Sequence, residues 1–368
     1  MCIRAARSFR TFRVSSALQD ALDQLADRIR DAAARRVLLR IRGGGTKDFY
    51  GRPATGEILD TRTYCGIVDY EPTELVITGR AGTPLEDIES AMQGHGQMLA
   101  FEPPRFGSGS TLGGTIASGL SGPRRAYAGA ARDFVLGVRM LDGKGTDLSF
   151  GGRVMKNVAG YDVSRLMAGT LGTLGVLTEI SLKVLPRPPA ELTLRQERSQ
   201  GEAIGLMNTW AGKPYPITAS AHAGSELYVR LSGAEPAVRA ARLKLGGEEI
   251  VDGAAYWDAL RDHRLPFFAA RPLWRLSVKS TTPPLGAGGE QVVEWGGALR
   301  WISGSTRPDE VRAAAAQAGG HATLFRGDGA SGDVFQPLTL PLQKLHRRLK
   351  DTFDPQGILN RGRMYADW

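Results

Sequence analysis

Apolar and polar positions recur along this chain in two rhythms, and each change of rhythm marks an element. Leu18, Leu22, Leu25 and Ile29 repeat at the spacing of one helix face, behind Ser16 and Gln19, which read as a capping box. Val37-Leu38-Leu39-Arg40-Ile41 is a β-like run that ends in Arg42-Gly43-Gly44-Gly45-Thr46-Lys47. A second run, Glu74 to Thr78, leads through Gly82 and Pro84 to a helix around Leu85 to Met92. The order strand, helix, strand predicts an α+β domain with a mixed sheet. Asp142-Gly143-Lys144-Gly145 lies between two β-like runs and reads as a hairpin turn. Pro186, Pro188 and Pro189 mark a domain boundary. Beyond it, polar helices (Glu235 to Leu245, Pro308 to Ala318) alternate with strands (Glu226 to Leu231, Leu273 to Lys279), predicting a second α/β domain. Leu338 to Phe353 reads as an amphipathic helix, closed by the turn Asp354-Pro355-Gln356-Gly357.

Length agrees with that division, because 368 residues exceed the usual span of one core. The 42% hydrophobic and 23% charged shares are those of a soluble globular protein. No apolar run approaches the ~20 residues of a membrane-spanning helix. The N-terminal MCIRAARSFRTFRV has no apolar segment behind its basic residues, so no secretory signal is expected. Cys2 and Cys65 are too few for an iron–sulfur cluster, a cysteine-type zinc site or a disulfide framework, and fit a reducing cytoplasmic compartment. The formal charge of +9 is spread along the chain, the densest basic cluster being His346-Arg347-Arg348 with Lys350. No clustered basic stripe accompanies it, so no nucleic-acid partner is expected.

The candidate chemistry lies in glycines. From Pro104 to Pro186 they punctuate strand-like and helix-like runs, where backbone passes close to something or takes a positive φ. Such loops turn N–H groups toward phosphates. The dinucleotide fingerprint fails, because Gly107 and Gly109 are followed by Gly113, one residue out of register. A Walker loop fails too, since Gly145 follows Gly143-Lys144 and no glycine stands five residues before Gly143. What remains is three N–H-rich loops, Gly43 to Gly45, Gly107 to Gly114 and Gly169 to Gly175, able to converge on one long, doubly phosphorylated ligand.

Arg42-Gly43-Gly44-Gly45-Thr46, Thr111 to Ala117, and Gly160-Tyr161-Asp162 through Gly169 to Gly175 resemble the three FAD loops of vanillyl-alcohol-oxidase-type (PCMH-type) flavoproteins. Phe353-Asp354-Pro355-Gln356-Gly357-Ile358-Leu359-Asn360 is similar to the C-terminal signature of that superfamily's 2-hydroxy-acid branch. Within the branch, residues 154–188 and the chain length most closely resemble the FAD-binding subunits of bacterial glycolate oxidases. The resemblance implies an α+β fold: a PCMH-type FAD-binding domain of two α/β subdomains (1–187), a smaller α/β cap domain (188–335), and a C-terminal segment (336–368) returning to the FAD domain. It makes Arg42, Gly43, Gly44, Gly45 and Thr46 a pyrophosphate loop, with Lys47 beside it. Gly107, Ser110, Thr111, Gly113, Gly114 and Ala117 would lie along the pyrophosphate and flavin ring. Gly160 and Asp162 belong to the third loop, where Gly172, Gly175 and Val176 would pass the ribityl and adenine side. Asn360 would approach the ring.

Two departures bear on chemistry. Covalent members of the superfamily often carry a histidine in the first loop; this one has none, so FAD is expected to be held non-covalently. The catalytic 2-hydroxy-acid dehydrogenases carry an HxGDGNxH motif in the second domain. Here His95, His222, His263, His321 and His346 stand apart, and His321 to Gly329 lacks the second histidine, so no metal site is expected and no catalytic residue is assigned. Leu171 stands where many relatives have glutamate. The resemblance therefore implies one subunit of a complex that oxidises glycolate, or a related 2-hydroxy acid, to glyoxylate. A larger paralogous flavoprotein and an iron–sulfur subunit would be its partners, in the cytoplasm or peripheral on the cytoplasmic face of the inner membrane. Two other readings stay open: a stand-alone FAD oxidase or dehydrogenase of another hydroxy acid or alcohol, and a non-catalytic assembly subunit.

Overall fold

The computed structural model describes residues 16–152, 161–304, 306–327 and 333–368. The apolar stripe of the first helix, Ser16–Arg35, buries Leu22, Leu25, Ile29 and Ala32 against the parallel strands Leu39–Arg42 and Glu57–Asp60. Ile358 and Leu359 complete that core, and Leu359 bridges Leu39, so the chain's end closes its beginning.

A five-stranded sheet follows, in the order Ile67–Glu71, Val76–Arg80, Val176–Lys183, Val135–Leu141, Asp147–Gly151. Every neighbouring pair in it is antiparallel. The mixed sheet expected from the sequence is thus separated into a small parallel pair and an antiparallel sheet. Helices Leu85–Gln93 and Leu112–Ser118 cover the sheet through Leu85, Ile88, Met92, Leu112 and Ile116.

The second lobe is an eight-stranded antiparallel sheet running from Glu248–Glu249 at one edge to His321–Arg326 at the other. Strand alternation gives it two apolar faces. Leu276, Ile302 and Leu231 point toward the helices Gln200–Ala211, Glu235–Leu245 and Pro308–Gln317. Ala221, Leu273, Trp301 and Phe325 point the other way, into a seam shared with Tyr50, Leu120 and Leu171 of the first lobe. Buried charges fasten the seam: Arg124 reaches Glu102 at 3.1 Å and Glu191 at 3.0 Å, and Arg230 reaches Glu102 at 2.8 Å. The two arginines and two glutamates balance, and Trp295 adds a hydrogen bond to the Gly122 carbonyl at 3.0 Å.

Candidate cofactor site

Strand Leu39–Arg42 delivers the chain into a loop that lines an open cleft. The loop lies flat on the segment before helix Leu112–Ser118. A Cβ on Gly44 would fall 1.6 Å from the Gly109 carbonyl oxygen, and one on Gly43 would fall 2.5 Å from Thr111 Oγ1. Gly45 turns the chain at φ 75°. Thr111 accepts from the Gly114 N–H at 3.2 Å and starts the short helix, whose Gly114, Ala117 and Ser118 face the cleft.

What the loop leaves unpaired defines the site. Among the described residues, the backbone N–H groups of Gly44, Gly45, Thr46 and Lys47 donate to no protein acceptor. Arg40 and Arg42 share the Asp48 carboxylate at 2.7 and 2.8 Å, which offsets one of their two positive charges. Lys47 has no such partner; its Nζ donates to Ser110 Oγ at 2.9 Å. Burial pushes the Lys47 ammonium down to about 8, against the opposing pull of Asp262. Free N–H groups beside the Lys47 ammonium and the net positive Arg40–Arg42–Asp48 cluster form a receptor for an anionic oxygen group, and phosphate chemistry fits it.

The C-terminal segment supports this wall from behind. Asn360 Oδ1 accepts the Ile41 N–H at 2.8 Å, and its Nδ2 donates to the Leu171 carbonyl at 2.6 Å. Its amide is therefore occupied in joining the first loop to the third, where the sequence suggested an approach to the ring. Arg363 donates to the carbonyls of Lys47 and Asp48 at 3.2 and 3.1 Å. Lys350, buried on helix Leu340–Phe353, binds the Thr173 and Leu359 carbonyls at 2.7 and 2.8 Å and the Asp354 carboxylate at 2.6 Å.

The cleft is lined by Arg42, Gly43, Gly44, Gly45, Thr46, Lys47, Ser110, Thr111, Gly114, Ala117 and Asn360 of the residues singled out in the sequence. Gly113 faces away from it: a Cβ there would meet the Ala81 Cβ at 2.7 Å, so this glycine lets the helix pack on its strand. Gly175 is a packing position as well, 2.0 Å from Met140 Cε by the same test, and Val176 is buried among Leu141, Leu59 and Ile358. Gly172 sits behind the wall at φ 73°, beside Asn360. Gly107, at φ 127°, lies across from Thr46. Asp162 caps the short helix Val163–Leu166 and pairs with Arg165, away from the cleft. Gly160 lies outside the described residues. Sequence reasoning missed Arg40, Asp48, Ser118, Leu171 and Arg363 as lining residues. Arg40 and Asp48 flank the glycine run and were within reach of that motif; Arg363 carries no local signal.

Beside the cleft, the seam is filled with rings. Phe106 meets Phe49 at 5.3 Å and His263 at 5.0 Å, His263 stacks on Phe268 at 4.0 Å, and Trp301 meets Phe325 at 5.0 Å. Arg326 lies over Phe49 at 4.2 Å with no ion-pair partner among the described residues. His263 Nδ1 and the Tyr256 hydroxyl are shut off without partners, and burial lowers the His263 pKa and raises that of Tyr256. Burial likewise lifts Glu294 to about 7, although Trp301 Nε1 donates to it at 2.7 Å. No group of His, Cys, Asp or Glu among the described residues is arranged to hold a metal ion, and His321 is an exposed residue at a strand start.

A parallel strand pair and two antiparallel sheets, joined over a glycine-lined cleft, make a PCMH-type FAD-binding fold, and comparison with known proteins agrees. 4-Ethylphenol oxidase from Gulosibacter chungangensis superimposes with a TM-score of 0.66 over 94% of this chain and 88% of its own, at 16% identity. The FAD binding domain family matches residues 19–151. Glycolate oxidase subunit GlcE of Escherichia coli strain K12 is 49% identical over 95% of this chain and 98% of its own. Glycolate oxidase subunit GlcD of Bacillus subtilis strain 168 is 32% identical over 53% of this chain and 42% of its own. The chain belongs to the GlcE family of glycolate oxidase subunits, FAD-dependent oxidoreductases.

Proposed function

We propose that this chain is the FAD-binding subunit of a complex that oxidises glycolate to glyoxylate and passes the electrons to an iron–sulfur partner. The observation that carries the reading is near full-length similarity to a glycolate oxidase subunit, joined to a cleft whose free N–H groups match a pyrophosphate. The bound flavin supplies a two-electron acceptor. The N–H groups of Gly44 to Lys47 and the Lys47 ammonium hold the phosphates. Thr111, Gly114 and Ala117 give the cofactor a wall without bulky side chains. Asn360, Arg363 and Lys350 fix the loops before the cofactor arrives, which lowers the ordering cost of binding. No first-loop histidine is available for a covalent link, so FAD is released by acid.

A larger GlcD-like flavoprotein is the partner for hydroxy-acid oxidation in this reading. No helix among the described residues is long and apolar enough to cross a membrane. In this reading the complex works in the cytoplasm or peripherally on the inner membrane through its partners. Arg326, unpaired over Phe49 in the seam, favours a second reading in which this chain meets a carboxylate substrate itself. Purified chain loaded with FAD and mixed anaerobically with glycolate separates the two. The subunit reading expects no bleaching of the ~450 nm flavin band until both partner subunits are added. Bleaching of the lone chain overturns it in favour of the second.

A further inference from the structure

The seam beside the cleft carries more positive charge than its acids offset. Arg125 and Arg275 lie over the Trp295 ring at 4.3 and 5.2 Å, and Arg326 lies over Phe49 and Phe106 at 4.2 and 5.1 Å. None of the three forms an ion pair among the described residues, and Arg326 Nε is shut off without an acceptor. Burial, with Arg271 nearby, lowers Arg326 to about 10, so it keeps its charge at neutral pH. The carboxylates of the seam are engaged elsewhere: Asp262 with Arg261 at 2.8 Å, and Glu102 with Arg230 and Arg124 at 2.8 and 3.1 Å. Glu294, lifted by burial to about 7, carries little charge below that pH. His263 registers the excess: burial lowers its pKa, and Arg326, Arg275 and Arg271 lower it further.

This charge reaches the cofactor site. Leu171 lines the cleft and also packs in the seam core with Tyr50, Phe325 and Trp301. Arg275 acts on the Tyr50 hydroxyl in that core, pulling its pKa down against the larger upward push of burial. One ring separates Arg326 from the cleft, because Lys47, which lines the cleft, lies 5.8 Å from the centroid of the same Phe106. Backbone strain marks the boundary as well. Phe106, Leu171, His263 and Trp295 are held at φ 54°, 52°, 55° and 55°. Bulky residues resist that region, and those held in it cluster at functional sites.

We propose that Arg275 and Arg326 set the redox potential of FAD held in the cleft, favouring its reduced form, with the flavin ring at the Leu171 end. The proposal rests on the FAD-binding reading above. With the phosphates on Gly44 to Lys47, Ala117 and Leu171 offer the apolar wall that suits a flat ring. Uptake of two electrons and one proton leaves that ring with a net negative charge, and unpaired cations beside it stabilise this state over the neutral oxidised one. A unit charge ~10 Å away, at an effective dielectric of ~20, shifts such an equilibrium by roughly tenfold.

The test uses the full chain loaded with FAD, reduced by dithionite in equilibrium with a dye of known potential. Arg275→Met and Arg326→Met are each expected to lower the preference for reduced over oxidised FAD about tenfold, or about 30 mV in midpoint potential for two electrons. Arg275→Lys and Arg326→Lys should keep most of it. Lys213→Met should change nothing, since Lys213 is exposed just beyond helix Gln200–Ala211, on the other face of the sheet. Affinity for oxidised FAD and circular dichroism should match those of the native chain throughout. If the native chain binds no FAD, the FAD-binding reading fails and this inference with it. If it binds FAD and the Met variants keep the native potential, this inference alone is overturned. Lys variants that fall as far as the Met variants would assign the effect to packing and overturn it as well.

Discussion

The glycine-lined cleft and the seam between the lobes are neighbours built on opposite rules. In the cleft, donors are left free where solvent can reach them, so they cost little until an anion arrives. In the seam, rings fill the space, and the polar groups that remain are shut in: His263 Nδ1 and the Tyr256 hydroxyl without partners, and Glu294 bonded to Trp301. Each unpaired group of that kind costs roughly 1–3 kcal/mol. The cleft is thus ready for a cofactor with this chain's own residues, whereas the seam retains polar groups that packing alone would replace. Cofactor capture and seam chemistry should separate under mutation.

The sharpest break is expected at Gly44. A Val side chain there meets the Gly109 carbonyl, and the two loops cannot close. Gly44→Val should purify folded and colourless, with FAD affinity reduced by at least ~100-fold, about 2.7 kcal/mol. Visible spectra with circular dichroism check this, and a yellow variant would show that the loops do not meet as described.

Next in size is Lys350→Met, which leaves the fully buried Asp354 without its cation and frees the carbonyls of Thr173, in the third loop, and Leu359, in the C-terminal segment. Breaking one side of such a pair costs about 3–5 kcal/mol. Urea unfolding of the apoprotein measures it. A loss under ~1 kcal/mol would mean the lysine is not the brace it resembles.

How much of this was legible beforehand follows from range. The glycine wall was readable because its cause is local: Gly43 to Gly45 and Thr111 to Ala117 must approach backbone closely wherever they fold. Helix Leu85–Gln93 and the 142–145 turn were readable from periodicity and turn chemistry for the same reason. Pairing was not. Strand Val176–Lys183 enters between Val76–Arg80 and Val135–Leu141 from far along the chain, so the sheet's antiparallel character lay beyond local pattern. Asn360 was visible as a motif residue, yet its duty depends on Ile41, 319 positions away. Lys350 and Arg363 look like ordinary helix and tail cations until the fold buries them. Gly113 and Gly175 show the converse: a conspicuous glycine whose neighbour is packing rather than ligand.

In the seam, Glu294→Gln gives a pH-dependent effect. Burial lifts the folded carboxyl to about 7 from 4.5, so the folded state holds its proton more tightly than the unfolded chain. This group's contribution is therefore fully present at and below pH 4.5, falls as pH rises to 7, and is flat above. Glutamine does not ionise and still accepts from Trp301. The variant should be more stable than the native chain at pH 8, by up to about 3 kcal/mol, with no gain at pH 4.5. Equal stability at both would place Glu294 in contact with water.

The smallest effect returns to the cleft, where pH acts in the same sense through the opposite charge. Lys47 stands at about 8 in the free chain because burial disfavours its ammonium. A bound phosphate favours that ammonium, so the pKa rises on binding and one proton is taken up between the two values. Affinity for FAD should hold steady below pH 7. Above pH 8 it should weaken by at most about tenfold per pH unit until the bound-state pKa is passed. Lys47→Met should lower affinity at pH 7 by a similar factor and abolish the slope, while the N–H groups of Gly44 to Lys47 preserve residual binding. Fluorescence titration of apoprotein with FAD from pH 6.5 to pH 9.5 measures both. A slope that survives in the variant would assign the proton to another group.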